Sequence, residues 1–523
     1  MTRTIAIFGA GQSGQATWRL AQSLGHATVL FDEGGKGDAL VFSAEDVERF
    51  DAFVFSPGFA ADHPWRCLVS QAGRSCISEL AYAAPHWRGR LIGVTGTNGK
   101  TTVTKLLADA LAKCIAKDGA VNVACPLVTD HEPSRMADAS AAPRPSRALA
   151  LREPQGLEPA CRELVEQAET ASEHATLRAV AVGNIGYPLA DAVLSAANLD
   201  GACAVVEISS FQAELSQTLR LDGLIWTNFA EDHLDRYASM DAYFEAKAQL
   251  LGCLKPGACC VVGPSVVPWL ARRQFFVGAT WKRLPAALLP VQADGSRIYI
   301  KNPRTENCIR LGQPNRARPG GETSPANTAL LEQLDADSVF GRFPNTENFR
   351  LAAAWWTGAG LPTDALICAA NAFAPAPHRL ALVAECDGVR FWDDSKATNF
   401  HAALAAIESI AAPIIWIGGG QGKGGDLQSF ARSVAARVDV AVLYGEVAEA
   451  LAAAMHDLPV RAERCYQFSD AVHRAAAIAG EMSGASVLLS PGFASFDQFE
   501  SYGARGKMFT DLVLGLKNAR CAR

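Results

Sequence analysis

Val94-Thr95-Gly96-Thr97-Asn98-Gly99-Lys100-Thr101-Thr102 follows the apolar run Leu91-Ile92-Gly93 and precedes Val103–Leu111, whose apolar spacing is helical. Strand, glycine-rich turn and helix in that order make a phosphate-binding loop. The glycines let backbone N–H groups turn toward an anion, and the helix N-terminus adds its positive end. Lys100 can reach terminal phosphates, and the Thr101 hydroxyl can bind Mg²⁺. Val94 stands where the strict pattern has glycine, so the loop is a variant. A glycine-rich turn with a surface lysine is the competing reading.

Working outward, short apolar runs alternate with helical patterns along the chain. Ile5–Phe8, Ala27–Phe31, Ala52–Phe55, Arg90–Val94, Ala202–Ile208, Gly223–Thr227, Ala258–Val262, Pro413–Ile417, Val438–Leu443 and Ser486–Leu489 read as buried strands. Repeated strand–loop–helix units predict an α/β protein with mostly parallel sheets, whose ligands bind beyond the carboxyl ends of the strands. Residues from about 115 to 178 break the pattern. They are rich in Ala, Pro, Arg and Glu, and read as an insertion in which 156–178 is compatible with one amphipathic helix.

The chain has 523 residues, which suggests about three domains. Its net charge of -6 lacks the basic footprint of a nucleic-acid binder, so phosphates must be held by local loops and a few placed cations. The 14 cysteines include no Cys-x-x-Cys, which favours small buried thiols over zinc ligands or disulfides. The N-terminal apolar stretch is short and soon broken by Gly9, and no uncharged run reaches the ~18 residues of a membrane span. A soluble, cytoplasmic protein is expected.

Further chemistry sits at strand ends. Glu207 closes a strand beside the phosphate loop, well placed to offer oxygens to Mg²⁺. The next strand leads into Glu231-Asp232-His233-Leu234-Asp235-Arg236, where His233 reads as a metal or substrate contact. Lys247 falls on an expected helix, Ser239–Leu251, and by spacing alone reads as a solvated lysine. Gly9-Ala10-Gly11-Gln12-Ser13-Gly14 after the first strand, with Asp32 ending the second, is a dinucleotide-type pattern. It reports a pyrophosphate at a helix N-terminus and a nearby hydroxyl acceptor, which a UDP-sugar also satisfies. In the last third, Asp393-Asp394-Ser395-Lys396-Ala397-Thr398-Asn399, Gly418-Gly419-Gly420-Gln421-Gly422-Lys423-Gly424 and Leu489-Ser490-Pro491-Gly492-Phe493-Ala494-Ser495-Phe496-Asp497-Gln498-Phe499 each follow a strand. On one sheet edge, their cations and hydroxyls can hold a dianionic amino acid.

These motifs resemble the Mur ligase family over nearly the whole chain apart from the insertion. The loop Gly96–Thr102 is specific for that family. Ser56-Pro57-Gly58, Gly183-Asn184-Ile185-Gly186, Glu231–Arg236, Pro377-His378-Arg379, Asp394–Asn399 and Ser490–Phe499 are most similar to its D-glutamate-adding members. The resemblance implies three domains. A Rossmann-like UDP-substrate domain takes 1–90, a central phosphate-loop ATPase domain with a mostly parallel sheet 91–375, and a Rossmann-like amino-acid domain 376–523. It implies that Gln12, Ser13, Asp32, Asn184 and Ser209 contact UDP-N-acetylmuramoyl-L-alanine. Gly96, Thr97, Asn98, Gly99, Lys100, Thr101 and Thr102, with Asn345, Asn348, Arg379 and Asp394, would contact ATP. Thr101, Glu207, His233 and Lys247 would hold two Mg²⁺ ions, Lys247 as a carbamate, which reverses the reading from spacing. Lys396, Thr398, Lys423, Ser495 and Tyr502 would contact D-glutamate. Pro344-Asn345 departs from the family's usual His-Asn, and Tyr502 stands where an aromatic residue is common.

The implied reaction is amide-bond formation through an acyl phosphate, by a monomer acting on small molecules, with Lys100, Glu207, His233 and Lys247 as its catalytic residues. Competing readings are a Mur ligase for another amino acid, a nucleotide-binding oxidoreductase suggested by Gly9–Gly14, and a non-catalytic nucleotide-binding scaffold.

Overall fold

The computed structural model describes residues 2–118, 179–273, 289–290, 299–301, 308–311 and 329–521. Its helices pack on three sheets. The first contains β1 (Thr4–Phe8), β2 (Ala27–Phe31), β3 (Ala52–Phe55) and β4 (Cys76–Ser78), in the order β2-β1-β3-β4 and all parallel. One face is filled by aromatic rings, with Phe8 stacked on Phe55 at 4.0 Å between centroids.

The middle sheet is built from β5 (Arg90–Thr95), β6 (Ala179–Gly183), β7 (Cys203–Glu207), β8 (Leu221–Trp226), β9 (Leu254–Val262), β10 (Leu289–Pro290), β11 (Tyr299–Lys301) and β12 (Cys308–Leu311). Its order is β10-β11-β12-β9-β8-β5-β7-β6; the run from β12 to β6 is parallel, and β10–β11–β12 form an antiparallel end. β7 and β8 are apolar almost throughout because helices cover both faces of such a sheet.

The third sheet has β13 (Ala381–Cys386), β14 (Val389–Asp393), β15 (Ile414–Gly419), β16 (Val440–Tyr444), β17 (Arg461–Arg464) and β18 (Ser486–Gly492), in the order β13-β14-β18-β15-β16-β17. Only β13 is antiparallel to its neighbour.

Every strand expected from the sequence is present, within a few residues at its ends. β4, β6, β10, β11, β12, β13 and β17 are additional to that set, and β14 is the strand that Asp393–Asn399 was expected to follow. β17 reads Arg-Ala-Glu-Arg, a charged edge strand without an apolar signature. The phosphate-loop helix runs Lys100–Asp118, so the first residues assigned to the insertion are helical. The rest of that segment, including the helix expected at 156–178, lies outside the described residues. Among the described residues, no helix is long and apolar enough to cross a membrane.

Candidate active site

The order β8-β5-β7-β6 places the carboxyl ends of four parallel strands side by side. β5 delivers the phosphate loop, β7 Glu207, β6 Asn184, and β8 the segment leading to His233. Gly96 and Gly99 adopt φ of 142° and 80°, the left-handed region that favours glycine. A Cβ on Gly99 would lie 2.1 Å from Asn348 Oδ1, so that loop and the helix Asn345–Gly358 are packed against each other. Asn348 Nδ2 donates to Asn345 Oδ1 at 3.2 Å, which joins the two asparagines expected at the nucleotide.

Two lysine side chains converge on one carbonyl. Lys100 Nζ donates to Gly96 O at 2.9 Å and Thr97 O at 2.8 Å, and Lys247 Nζ donates to the same Gly96 O at 2.9 Å. Burial holds both lysines below the ordinary ammonium range. For Lys247 the drop is large, with Lys100 the next cause. Lys247 is 1% exposed and its Nζ lies 5.0 Å from the centroid of the Tyr243 ring. The solvated lysine that spacing suggested is therefore corrected: residues 240–248 form a helix whose Lys247 face is buried.

Glu207 is buried. Its Oε1 accepts from Asn184 Nδ2 at 2.9 Å, and its Oε2 has no hydrogen-bond partner. An orphaned buried carboxylate oxygen beside a phosphate loop is the kind of hard ligand Mg²⁺ takes. Thr101 Oγ1 accepts from Arg379 Nη2 at 3.1 Å, which brings the last third of the chain onto the phosphate-loop helix. His233 adopts φ of 57°, a strained value for a non-glycine residue and of a kind that clusters at functional sites. Burial lowers its pKa to about 4 against the opposing pull of Asp232, so near pH 7 the ring is a neutral ligand or acceptor. Among the described residues, no group of three or more His, Cys, Asp or Glu is arranged to hold a metal. Mg²⁺ commonly retains waters and phosphate oxygens, so the few oxygens here fit it better than a protein cage would.

The third sheet places β14, β18 and β15 side by side, so the three loops that end in Asn399, Phe499 and Gly424 share one edge. Ser490 Oγ donates to Asp394 Oδ2 at 2.8 Å, and Gln421 and Ala494 exchange backbone bonds of 2.9 and 3.1 Å. Burial pushes the Asp394 carboxyl up to about 7. Lys396 Nζ stands 3.7 Å over the Tyr502 ring, and Ser495 is buried. Thr398 and Lys423 line one cavity with Asp232 and His233, so the edges of the middle and third sheets meet there.

At the first sheet, Gly9, Ala10, Gly11, Asp32 and Phe59 line an open cleft. Asp32 Oδ2 accepts from Ala10 N at 2.8 Å. Gln12 starts the helix Gln12–Ser23 and is exposed, with Ser13 half-buried behind it. Ser209 is committed locally, since its hydroxyl caps the short helix Ser210–Ala213.

Several connections escaped the sequence reading. Arg505 is fully buried and donates to Ser395 Oγ and O, Tyr444 OH, and the carbonyls of Phe493 and Ala494, tying the third-sheet loops together. Arg236 reaches from the His233 loop to the Pro57 and Phe59 carbonyls at 2.9 and 3.0 Å, joining the first sheet to the middle one. Tyr243 stands four residues before Lys247, a helical spacing that could have paired the two.

A family model of the Mur ligase middle domain matches residues 173–267, and one of the Mur ligase glutamate ligase domain matches 378–493. The UDP-N-acetylmuramoylalanine--D-glutamate ligase of Gloeothece citriformis is 30% identical over 487 residues, 92% of this chain and 88% of its own. That of Gloeobacter violaceus is 29% identical over 541 residues, 98% of this chain and 99% of its own. Among solved structures, the UDP-N-acetylmuramate-alanine ligase of Thermotoga maritima is 14% identical, covers 98% of this chain and 100% of its own, and has a TM-score of 0.48. The two family models span Glu207, His233 and Lys247 on one side of the meeting point and Thr398 and Lys423 on the other, and with 30% identity along nearly the whole length the chain belongs to the Mur ligase family.

Proposed function

We propose that the chain joins D-glutamate to UDP-N-acetylmuramoyl-L-alanine at the expense of ATP, in the cytoplasm and as a monomer. The observation that carries this reading is the shared cavity: Asp232 and His233 from the phosphate-loop side line it with Thr398 and Lys423 from the third sheet. A nucleotide phosphate and an amine-bearing acid can be brought together there. The names of the relatives support the choice of amino acid.

In this reading residues 1–90 hold the UDP portion, with Gln12, Ser13 and Asp32 at the cleft and Asn184 and Ser209 farther along the substrate. Residues 91–375 hold ATP through Gly96–Thr102, Asn345 and Asn348, completed by Arg379 and Asp394 from residues 376–523. Lys396, Thr398, Lys423, Ser495 and Tyr502 take D-glutamate. The alanyl carboxylate oxygen attacks the γ-phosphorus and ADP leaves. The amine nitrogen then attacks the acyl carbon of the mixed anhydride, inorganic phosphate departs, and the nitrogen loses a proton.

Lys100 offsets the charge gathered on the transferred phosphoryl group. Thr101, Glu207 and His233 would hold two Mg²⁺ ions, which screen negative charge and align the oxygens. Carbamate formation on a lysine needs a neutral amine, and burial beside Lys100 favours that form of Lys247. Its carbamate would add an anionic oxygen ligand. Meeting of the two sheet edges keeps water from the acyl phosphate.

The test supplies ATP, UDP-N-acetylmuramoyl-L-alanine and a panel of amino acids, and follows both phosphate release and the amide product. Amide formation with D-glutamate at the highest kcat/KM is expected. A preference for any other amino acid would overturn the substrate assignment.

A further inference from the structure

Asn399 has no part in the reaction as proposed, yet its side chain joins three segments. Oδ1 accepts from Ala402 N at 2.9 Å, which caps the helix Phe400–Ser409, and from Asn98 Nδ2 at 3.2 Å. Nδ2 donates to Asn98 Oδ1 at 3.2 Å and to Asp232 Oδ2 at 3.0 Å. A primary amide has two N–H donors and two lone pairs on oxygen, so the capacity of this buried group is filled. Rotating the amide would set its oxygen against the Asp232 carboxylate and its N–H against the Ala402 N–H. The network thus fixes its orientation.

Both partners sit where the chemistry is. Asn98 belongs to the phosphate loop. Its backbone is pinned by Asn228 Oδ1 at 2.8 Å and by the Thr227 hydroxyl at 2.5 Å. Asp232 Oδ1 accepts from the His233 backbone N–H at 2.9 Å. One side chain of the third sheet's edge therefore registers the phosphate loop and the His233 loop together. Thr398, its chain neighbour, lines the shared cavity. Few side chains can do this. Aspartate at 399 would face Asp232 with like charge. Serine can cap the helix, but its hydroxyl is too short to span both partners.

We propose that Asn399 is a positioning residue that sets the amino-acid loops against the phosphate loop, so that the incoming amine meets the acyl phosphate. The proposal rests on the ligase reading above.

Serine at 399 separates this role from helix capping. The variants N399S and N399A are compared with the wild-type chain for the KM of the amino acid, the KM of ATP, phosphate released per amide formed, and melting temperature. N399S is expected to melt with the wild type yet to raise the amino-acid KM about tenfold. The KM of ATP should stay within about twofold, and phosphate release should exceed amide formation because water intercepts the acyl phosphate. N399A should share the kinetic defect and melt lower. A rise of fivefold or more in the amino-acid KM of N399S supports the proposal; any smaller rise overturns it, whatever N399A does. The amino acid used is whichever the wild type prefers in the panel. An alternative preference then sinks the substrate assignment and leaves this comparison intact, whereas a wild type that makes no amide sinks both.

Discussion

The chain carries two glycine-rich turns that leave a parallel strand and open a helix, and they differ in what surrounds them. Gly9–Gly14 borders an open cleft, and its nearest acid, Asp32, accepts from backbone N–H groups at the rim. Gly96–Thr102 has a half-buried and a buried lysine on one carbonyl and a buried glutamate with an unpartnered oxygen. The backbone geometry is similar; the charge is not. A loop that merely holds a pyrophosphate can do so with N–H groups and a helix end. A loop that must make phosphorus reactive needs charges taken out of water, where they act more strongly on the transition state.

The sharpest way to break this contrast is at Lys100. Lys100→Ala removes the cation nearest the loop and leaves the fold of its backbone, so kcat should fall about a thousandfold. The measurement is amide formation at saturating substrates. Activity within tenfold of the wild type would mean that this cation is structural, and the two loops would then do the same work.

Lys247 tests the cost of burying an amine beside that loop. Lys247→Met should abolish most activity, by about a hundredfold, while raising stability by about 1–3 kcal/mol. Gly96 O keeps Lys100 as its donor, and the thioether can pack on the Tyr243 ring. The sign with pH follows from the direction of the shift. The amine's pKa in the folded chain lies well below 10.5, whereas in the unfolded chain it is ordinary. Between those values the unfolded state binds the extra proton, so wild-type stability rises with pH. The advantage of the methionine variant should therefore shrink toward pH 10.5. Melting curves of both proteins across neutral to alkaline pH check it, and a constant or growing difference would contradict a buried neutral lysine.

These contrasts also show what the sequence could carry. Strand-end motifs were legible because period, glycine and hydroxyl residues coincide in short windows, and sheet order then explains why distant motifs share an edge. Burial of Lys247 was not legible from spacing, since it depends on which face of its helix turns toward Trp226 and the Gly96 carbonyl. The contacts of Arg505 and Asn399 were hidden for a related reason. Their partners lie more than 100 residues away in some cases, as with Ser395 and Asn98, and no local pattern reports such a meeting. β17 lacked an apolar signal because a charged sheet edge has none to show.

At the first loop the expected effects are smaller and fall on binding. A Cβ on Gly14 would lie 1.8 Å from Gly9 O, so Gly14→Ala must push the helix away from the turn. The KM for the UDP substrate should rise about thirtyfold, with kcat nearly unchanged once that substrate saturates. Initial-rate measurements varying the UDP substrate decide it. A loss confined to kcat would mean that this turn also takes part in the chemistry.

Asp32→Asn should do least. The carboxylate accepts from Ala10 N and Lys36 N, and the Ala10 bond is the main reason its pKa lies below the ordinary range. Asparagine keeps one oxygen for these donors but turns an N–H₂ group toward the other. The loop should loosen without collapsing, and the KM for the UDP substrate should rise about threefold. A depressed carboxylate contributes stability above its unfolded pKa of 3.8 and loses it as pH falls through the lower folded value. Above pH 5 its protonation therefore should not affect binding, and the wild-type to variant KM ratio should be flat from there to pH 9. A ratio that changed between pH 6 and 8 would point to a group titrating with the ligand at that rim. The first loop would then be using charge much as the second does.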